Sequence, residues 1–402
     1  MILSTENKTD ARCMLFYVLL FTFSIATNCF AQDGFKITHG PYLQNLNDTS
    51  VTIIWTTNRK AISWVELAPD DSTHFYLTER PKTFSASHGI KNIATIHTVL
   101  LDGLKPGTKF RYRIFSKEVT SHQGHKVLYG NTVASNVYSQ KPFSFRTSDI
   151  AQKNTSFIML NDIHGKSDDM SSLLKIAGYE KADFIIFNGD MMSNFNSEEQ
   201  MFTDFMDTAV KVFAKEKPFY YARGNHETRG ELADGFYKYF PGEKGNLYYL
   251  LRRGPVGIVF LDCGEDKPDS DIEYSDITAY DAYRTQQAKW LKEAVKDKSF
   301  SEAPFKVAII HMPPFGGWHG EQEIANKFIP ILNNAGIQIM LCGHLHKYIH
   351  QKAQSPSIVF PIIANANNTA LKAEASDDEL KISIINLKGE TVDKVVIPRL
   401  GK

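Results

Sequence analysis

Apolar and polar positions follow two different rhythms along this chain, and the rhythm changes near residue 150. From Phe35 to about Thr147, short runs such as Val51–Trp55, Ser63–Leu67, His97–Leu101 and Phe110–Ile114 carry β-branched or aromatic residues, several in alternation. Period-two alternation sends one face of a strand to a core and the other to water. Turn-forming residues fall between the runs, at Asn47-Asp48, Pro69-Asp70-Asp71 and Lys105-Pro106-Gly107, and no ten-residue helical stripe interrupts them. Short strands at this density predict an all-β sandwich. Ser148–Thr155 reads as a polar linker. Beyond it, apolar strands alternate with helical segments such as Met170–Ala177, Glu198–Phe213 and Thr285–Val295. That order predicts an α/β sheet covered by helices.

The chemistry lies just past the C-terminal end of each strand of this second half. Phe157–Leu160 runs into Asn161, Asp162, Ile163 and His164, and Phe184–Phe187 into Asn188, Gly189 and Asp190. Phe219–Ala222 leads to Arg223, Gly224, Asn225, His226 and Glu227. Lys306–Ile310 ends at His311, and Ile337–Cys342 at Gly343, His344, Leu345 and His346. Open α/β sheets place their ligand crevice at such strand ends. Carboxylate, amide and imidazole groups without thiolate form a hard-to-borderline metal donor set. Asp162 and His164, two apart on an extended segment, point the same way and can hold one ion; His344 and His346 share that spacing. Glycine before Asp190, Asn225 and His344 lets the backbone turn off the strand. Asp162, His164, Asp190, Asn225, His311, His344 and His346 are thus seven candidate ligands, enough for two ions sharing one carboxylate. A lone Asp-x-His is ordinarily a surface loop or a satisfied core pair. Five such signals in order, each after an apolar run, point to a two-metal site.

Composition narrows the partners. A chain of 402 residues accommodates two domains, and 43% hydrophobic with 22% charged residues suits a globular core. Formal net charge is zero and Lys and Arg show no cluster along the sequence, so no nucleic-acid partner is expected and phosphate affinity must come from a local site. Lys8 and Arg12 precede an apolar run, Met14–Ala26, and Cys29-Phe30-Ala31 offers cleavage before Gln32. Residues 1–31 therefore read as a signal peptide, with a retained anchor or acylation at Cys29 as alternatives. The run is short for a membrane span, so no stable membrane insertion is expected after cleavage, and the location is periplasmic or secreted. Cys13 and Cys29 leave with the signal. Cys263 and Cys342 read as small buried thiols, with a bond between them left open by an oxidising compartment. Glu265–Asp281, rich in Asp and Glu with Tyr274 and Tyr280, reads as a solvated acidic loop, with a pocket lid as the alternative.

The ordered set Asp-x-His, Gly-Asp, Gly-Asn-His-Glu, His and Gly-His-x-His, from Asp162 to His346, resembles the signature of calcineurin-like metallophosphoesterases. Leu101–Tyr112, with its Pro106-Gly107-Thr108 turn, resembles the corner of fibronectin type III domains. Together with His39–Gln44 it looks like the sandwich that precedes purple acid phosphatase catalytic domains, which makes Trp55 and Tyr112 core residues, with a carbohydrate-binding aromatic as the alternative. The resemblance implies an α/β (α+β) metallophosphoesterase sandwich over 155–402, two mixed sheets flanked by helices, behind a fibronectin III-like β-sandwich over 34–147. It also implies that Asp162, His164 and His346 hold a first metal and Asn225, His311 and His344 a second, with Asp190 bridging. His226 would then contact the phosphate or protonate the leaving oxygen. His319, in the Gly316-Gly317-Trp318-His319-Gly320 loop, is a second candidate acid or phosphate contact, or else a solvated loop histidine. Arg223 reads as a structural salt bridge and His350 as outside the site.

Two positions depart from true purple acid phosphatases. Those enzymes have glycine where His164 stands and a metal-binding tyrosine where Ser193 stands, so a colourless pair of divalent ions (Mn, Zn or Fe) is expected. Two ions about 3.5–4 Å apart neutralise phosphoryl oxygens and lower the pKa of water, so that hydroxide attacks phosphorus in line. The implied activity is extracytoplasmic hydrolysis of a small phosphomonoester. A phosphodiesterase on nucleotide, lipid or glycan diesters is one alternative. A non-enzymatic glycan- or partner-binding protein with a degenerate metal domain is another.

Overall fold

The sandwich half builds its two layers by bending two long strands. Its strands are β1 (Tyr42–Gln44), β2 (Val51–Pro69), β3 (Lys82–Phe84), the short hairpin β4 (Ala86–Ser87) and β5 (Ile90–Lys91), β6 (Ala94–Leu101), β7 (Lys109–Gln123), β8 (Lys126–Ala134) and β9 (Phe143–Arg146). The structure, a computed structural model, describes Met1, residues 34–242 and residues 245–399; beyond Met1 the expected signal peptide, with Cys13 and Cys29, lies outside the described residues. The first half of β2 pairs with β1 and β6, and its second half with β3 and β7. Val51–Trp55 and Ser63–Leu67, expected as two strands, are therefore one. The intervening residues 56–60 carry no glycine or proline, and a register shift between Thr56 and Ala61 absorbs the bend. Inward positions Ile53, Trp55, Val65, Tyr112 and Ile114 fill the core, as the alternation requires. Trp55 satisfies its indole N–H on Ser116 Oγ at 2.9 Å.

The second half contains β10 (Thr155–Leu160), β11 (Phe184–Asn188), β12 (Phe219–Ala222), β13 (Tyr249–Arg253), β14 (Val256–Phe260), β15 (Phe305–Ile309), β16 (Ile339–Cys342), β17 (Ile349–Gln351), β18 (Ile362–Ala364), β19 (Thr369–Ala375), β20 (Glu379–Asn386) and β21 (Thr391–Pro398). They form two mixed sheets, β12-β11-β10-β19-β20-β21 and β13-β14-β15-β16-β18-β17. β10, β11 and β12 run parallel, as do β14, β15, β16 and β18. Side chains such as Met159, Ile186, Phe260, Ile309, Leu341 and Leu371 from both sheets share one core. Helices cover the outer faces, so the parallel strands are buried on both sides and read as continuous apolar runs. Of the expected helices, Ser167–Ala177 and Tyr280–Ala294 are regular. Residues 198–214 form one helical stretch with two π-helical segments, Phe202–Met206 and Val210–Ala214.

His39–Gln44 joins the two halves. His39 stacks on Phe202 with ring centroids 4.0 Å apart, and its Nδ1 lies 3.0 Å from Asp207. Tyr42 donates to the Tyr239 carbonyl, Gln44 to that of Phe219, and Tyr112 to that of Lys215. Among the described residues, no helix is long and apolar enough to cross a membrane.

Candidate metal centre

Five of the parallel strands end at one place. Asp162 and His164 follow β10, Asp190 follows β11, Asn225 and His226 follow β12, His311 follows β15, and His344 and His346 follow β16. Their ligand-type atoms converge. Asp162, His164 and His346 form one group whose donor atoms lie within 4.8 Å of one another, and Asp190, His311 and His344 form a second. Asp190 also groups with His164 and His226, so it stands between the two sets. Individual separations include His346 Nε2 to Asp162 Oδ1 at 3.2 Å, His164 Nε2 to His346 Nε2 at 3.2 Å, and His311 Nε2 to Asp190 Oδ2 at 3.0 Å. Asn225 Oδ1 is 3.1 Å from His344 Nδ1.

The backbone at these positions is unusual. Asp162, His164, Asp190, His344 and His346 all have positive φ, between 47° and 70°. Non-glycine residues rarely adopt this left-handed region, and clusters of them occur where the surrounding structure over-determines a site. The glycines divide the labour expected of them. Gly189 makes the turn, with φ +78°, whereas Gly224 is needed for close approach: a Cβ there would meet Asp190 Oδ1 at 2.2 Å.

Neighbouring groups fix how the imidazoles present themselves. His311 Nδ1 donates to the Asn188 carbonyl at 2.6 Å, turning Nε2 into the site, and His226 Nδ1 donates to the Ser193 carbonyl at 2.8 Å with the same result. Ser193 Oγ lies 3.3 Å from His164 Nδ1. Burial alone would raise Asp190, yet His311 and His226 hold its carboxyl well below the usual range. Burial alone would lower His311, but Asp190 and Asp162 push it up to about 10. A field that favours a proton between two carboxylates favours a metal cation there too. Asp162 Oδ1 and His311 Nε2 are buried with no partner in hydrogen-bond geometry, which a bound ion would supply. The donor set, its convergence and these orphaned atoms fit a pair of metal ions.

Comparison with known proteins agrees with this geometry. The model of the calcineurin-like phosphoesterase family matches residues 155–348, and that of the purple acid phosphatase N-terminal domain matches residues 40–147. The chain carries a calcineurin-like phosphoesterase domain. Purple acid phosphatase 18 of Arabidopsis thaliana is 23% identical over 321 residues, covering 76% of this chain and 64% of that protein. A probable glycerophosphodiester phosphodiesterase of Arcobacter nitrofigilis is 28% identical over 178 residues, 42% of this chain and 58% of that protein. The chain thus spans a little under two-thirds of the length of such curated relatives. The structure of purple acid phosphatase PPD1 from yellow lupin seeds superposes with a TM-score of 0.64 at 15% identity, covering 89% of this chain and 74% of that one, and shares the fold.

Other expectations meet the phosphoesterase domain with mixed results. Arg223 pairs with buried Asp262 at 2.9 Å, and His350 pairs with Asp393 on β21, both outside the cluster. Cys263 and Cys342 are buried free thiols. His319 Nε2 lies 2.7 Å from Asp281 and groups with Asp281 and Glu323. The acidic segment is not a solvated loop throughout. Glu265 is buried because Arg229, Thr228 and Tyr274 all donate to it, although Ile272 and Ile277 farther along are 91% and 87% exposed. Basic residues from separate segments do meet at one place, interleaved with Glu180, Asp183 and Glu216. A cavity of about 750 Å³ at the opposite ends of β11 and β12 is lined by Lys141, Arg146, Lys181, Lys211, Lys215 and Lys217 among others. Three separate segments supply them, so the linear sequence does not show the cluster.

Glu227 belongs to the Gly-Asn-His-Glu motif, yet sequence reasoning assigns it no role. Fully buried, it accepts from the backbone N–H groups of Asp190, Met191 and Gly224 and from the Tyr221 hydroxyl, tying the ends of β11 and β12 together. Its place three residues after Gly224, beside two candidate ligands, was the available signal.

Proposed function

We propose that this protein is a two-metal phosphomonoester hydrolase, exported by a signal peptide over residues 1–31 and acting in the periplasm or outside the cell. Its domains on this reading are the sandwich at 34–147 and the catalytic domain at 155–402. The observation that carries the reading is the convergence of seven Asp, Asn and His side chains from five strand ends on one crevice. Asp162, His164 and His346 would hold one ion, Asn225, His311 and His344 the other, and Asp190 both. When bound, such ions neutralise phosphoryl oxygens and acidify water. The chain's own residues do the rest. Glu227 fixes the Asp190 backbone, Asn188 and Ser193 set the imidazole tautomers, and His226 presents Nε2 to the departing oxygen as charge stabiliser or proton donor. His319, whose Nε2 lies 2.7 Å from Asp281, is the second candidate acid or phosphate contact.

Phosphodiester hydrolysis is the second reading, favoured by the similarity to a probable glycerophosphodiester phosphodiesterase. The test reloads metal-stripped protein with Mn, Zn or Fe and compares p-nitrophenyl phosphate with bis-p-nitrophenyl phosphate. Turnover of the monoester, lost in Asp190→Asn, is expected. Preference for the diester would transfer the assignment to the second reading, and a protein that binds no metal would end both.

A further inference from the structure

Nothing in the sequence pattern singles out Arg229, three residues beyond His226, yet its guanidinium is held in a specific pose. Its Nε and one terminal nitrogen, NH2, grip Glu265 as a fork, at 2.8 and 2.9 Å. Glu265 is itself 1% exposed and receives two further donors, Thr228 Oγ1 at 2.8 Å and Tyr274 OH at 3.1 Å. A carboxylate so satisfied holds its arginine in one place. The other terminal nitrogen, NH1, is turned toward His226, 3.5 Å from Nε2. That Nε2 lies in turn 3.9 Å from Asp190 Oδ2. A rigid donor edge therefore sits one imidazole away from the carboxylate at the centre of the cluster, on a side chain that is still 31% exposed. Arg223, the other arginine of this turn, grips Asp262 through the same two nitrogens, but its side chain is only 9% exposed.

We propose that Arg229, clamped by Glu265, meets a terminal phosphate oxygen of the substrate and selects monoesters over diesters. This rests on the phosphoester-hydrolase reading above. A monoester carries three terminal oxygens that share two negative charges, whereas a diester carries two that share one. With two oxygens facing the metal cluster, the third exists as a charged acceptor only on the monoester. On a diester that position is an ester oxygen bearing a second organic group. It accepts hydrogen bonds poorly, and its substituent would run into the Arg229–Glu265–Tyr274 wall. The same donor edge thus rewards one substrate class and obstructs the other.

The experiment compares wild type, Arg229→Gln and Arg229→Lys, all metal-loaded. Calorimetry would measure binding of inorganic phosphate and of dimethyl phosphate, alongside kcat/KM for the two nitrophenyl esters, metal content and Tm. Loss of one charge-assisted hydrogen bond predicts that Arg229→Gln weakens phosphate binding about tenfold or more, and lowers the monoester-to-diester ratio of kcat/KM by a similar factor. Arg229→Lys keeps the cation but not the fork, and should fall between the two. If Arg229→Gln loses metal or fails to fold, Arg229→Lys decides: a ratio lowered several-fold supports the assignment. Equal losses on both esters, or unchanged phosphate binding, would show that Arg229 only braces the Glu265 segment and would overturn it. A wild type that prefers the diester would sink the monoesterase reading itself. A wild type that prefers the monoester, with an unaltered ratio in both variants, would sink the Arg229 assignment alone.

Discussion

Replacing Glu227 with glutamine should destabilise the protein and loosen its metal site while barely changing side-chain volume. The carboxylate takes five donors: Asp190 N and Gly224 N on Oε2, both at 2.9 Å, and Met191 N at 2.7 Å, Tyr221 OH at 2.9 Å and Met192 N at 3.5 Å on Oε1. Glutamine keeps one oxygen. Its NH2 group fits best on the Oε1 side, where the tyrosine hydroxyl can rotate to accept, but the Met191 N–H is then orphaned in a site with no water-facing surface. An unsatisfied buried donor costs about 1–3 kcal/mol, and weakening two charge-assisted bonds to neutral ones adds about 1–2 kcal/mol. An opposing effect is present: burial and the Asp190 charge push the Glu227 carboxyl up, so removing its charge offsets part of this cost. The hydrogen bonds win by about 1–4 kcal/mol. For a domain of this size that lowers Tm by roughly 2–16 °C. Because two of the lost or weakened bonds hold the backbone of Asp190 and Met191, affinity for Mn should drop as well. Thermal melts in chelator and calorimetric Mn titration would measure both. A variant that melts within about 1 °C of wild type and binds Mn equally tightly would refute the claim that this carboxylate positions Asp190.

Three further outcomes are expected. His164→Gly removes a ligand but relieves a left-handed non-glycine backbone at φ 47°, so metal-free protein should melt no lower than wild type while Mn titration loses about one ion per chain. His97 is buried in the sandwich beside Thr57, and burial lowers it to about 4. The unfolded chain takes up its proton near 6.5, so the stability His97 contributes is complete above that pH and about 3 kcal/mol is lost as pH falls through 4. Urea titrations from pH 7 to 4 should show this slope, flattened in His97→Gln. His39 behaves oppositely: burial works against its charge, but Asp207 and Glu199 outweigh it and raise its pKa. Its contribution is complete below 6.5 and disappears as pH rises through the folded value, so His39→Gln should cost more stability at pH 5.5 than at pH 9.

How much of this was legible in the chain depends on how far apart the interacting residues lie. The ligand-bearing strand ends were readable because a strand buried on both faces is apolar throughout. The first Asp, Asn or His after Leu160, Phe187 or Ile310 therefore stands out against it. Trp55 and Tyr112 were placed in the core by the resemblance to a fibronectin III-like sandwich, and the alternation of the strands agrees. What alternation cannot show is continuity: β2 was read as two strands because polar residues 56–60 look like a connection, while the structure carries them through as a bulge. Nor can it show pairing at a distance. Arg229 with Glu265, Tyr112 with the Lys215 carbonyl and His39 with Asp207 join segments 36, 103 and 168 residues apart.

The same reasoning explains why ligand identity was easier to read than ligand geometry. Five of the candidate ligands adopt a backbone conformation that costs each of them about 1–2 kcal/mol, and no propensity of Asp or His announces it. The strand-end loops hold one another there: Asp162 N donates to the Gly189 carbonyl, His164 N to that of Asp190, and Gly343 N to that of His311. Each loop's strain is thus sustained by bonds to a loop from another strand, and these in turn rest on two sheets packed face to face. The apolar runs and the polar residues that end them are therefore not separate signals. The first supply the rigidity that lets the second stand in a conformation they would not adopt alone, and that is why the chemistry sits where the strands stop.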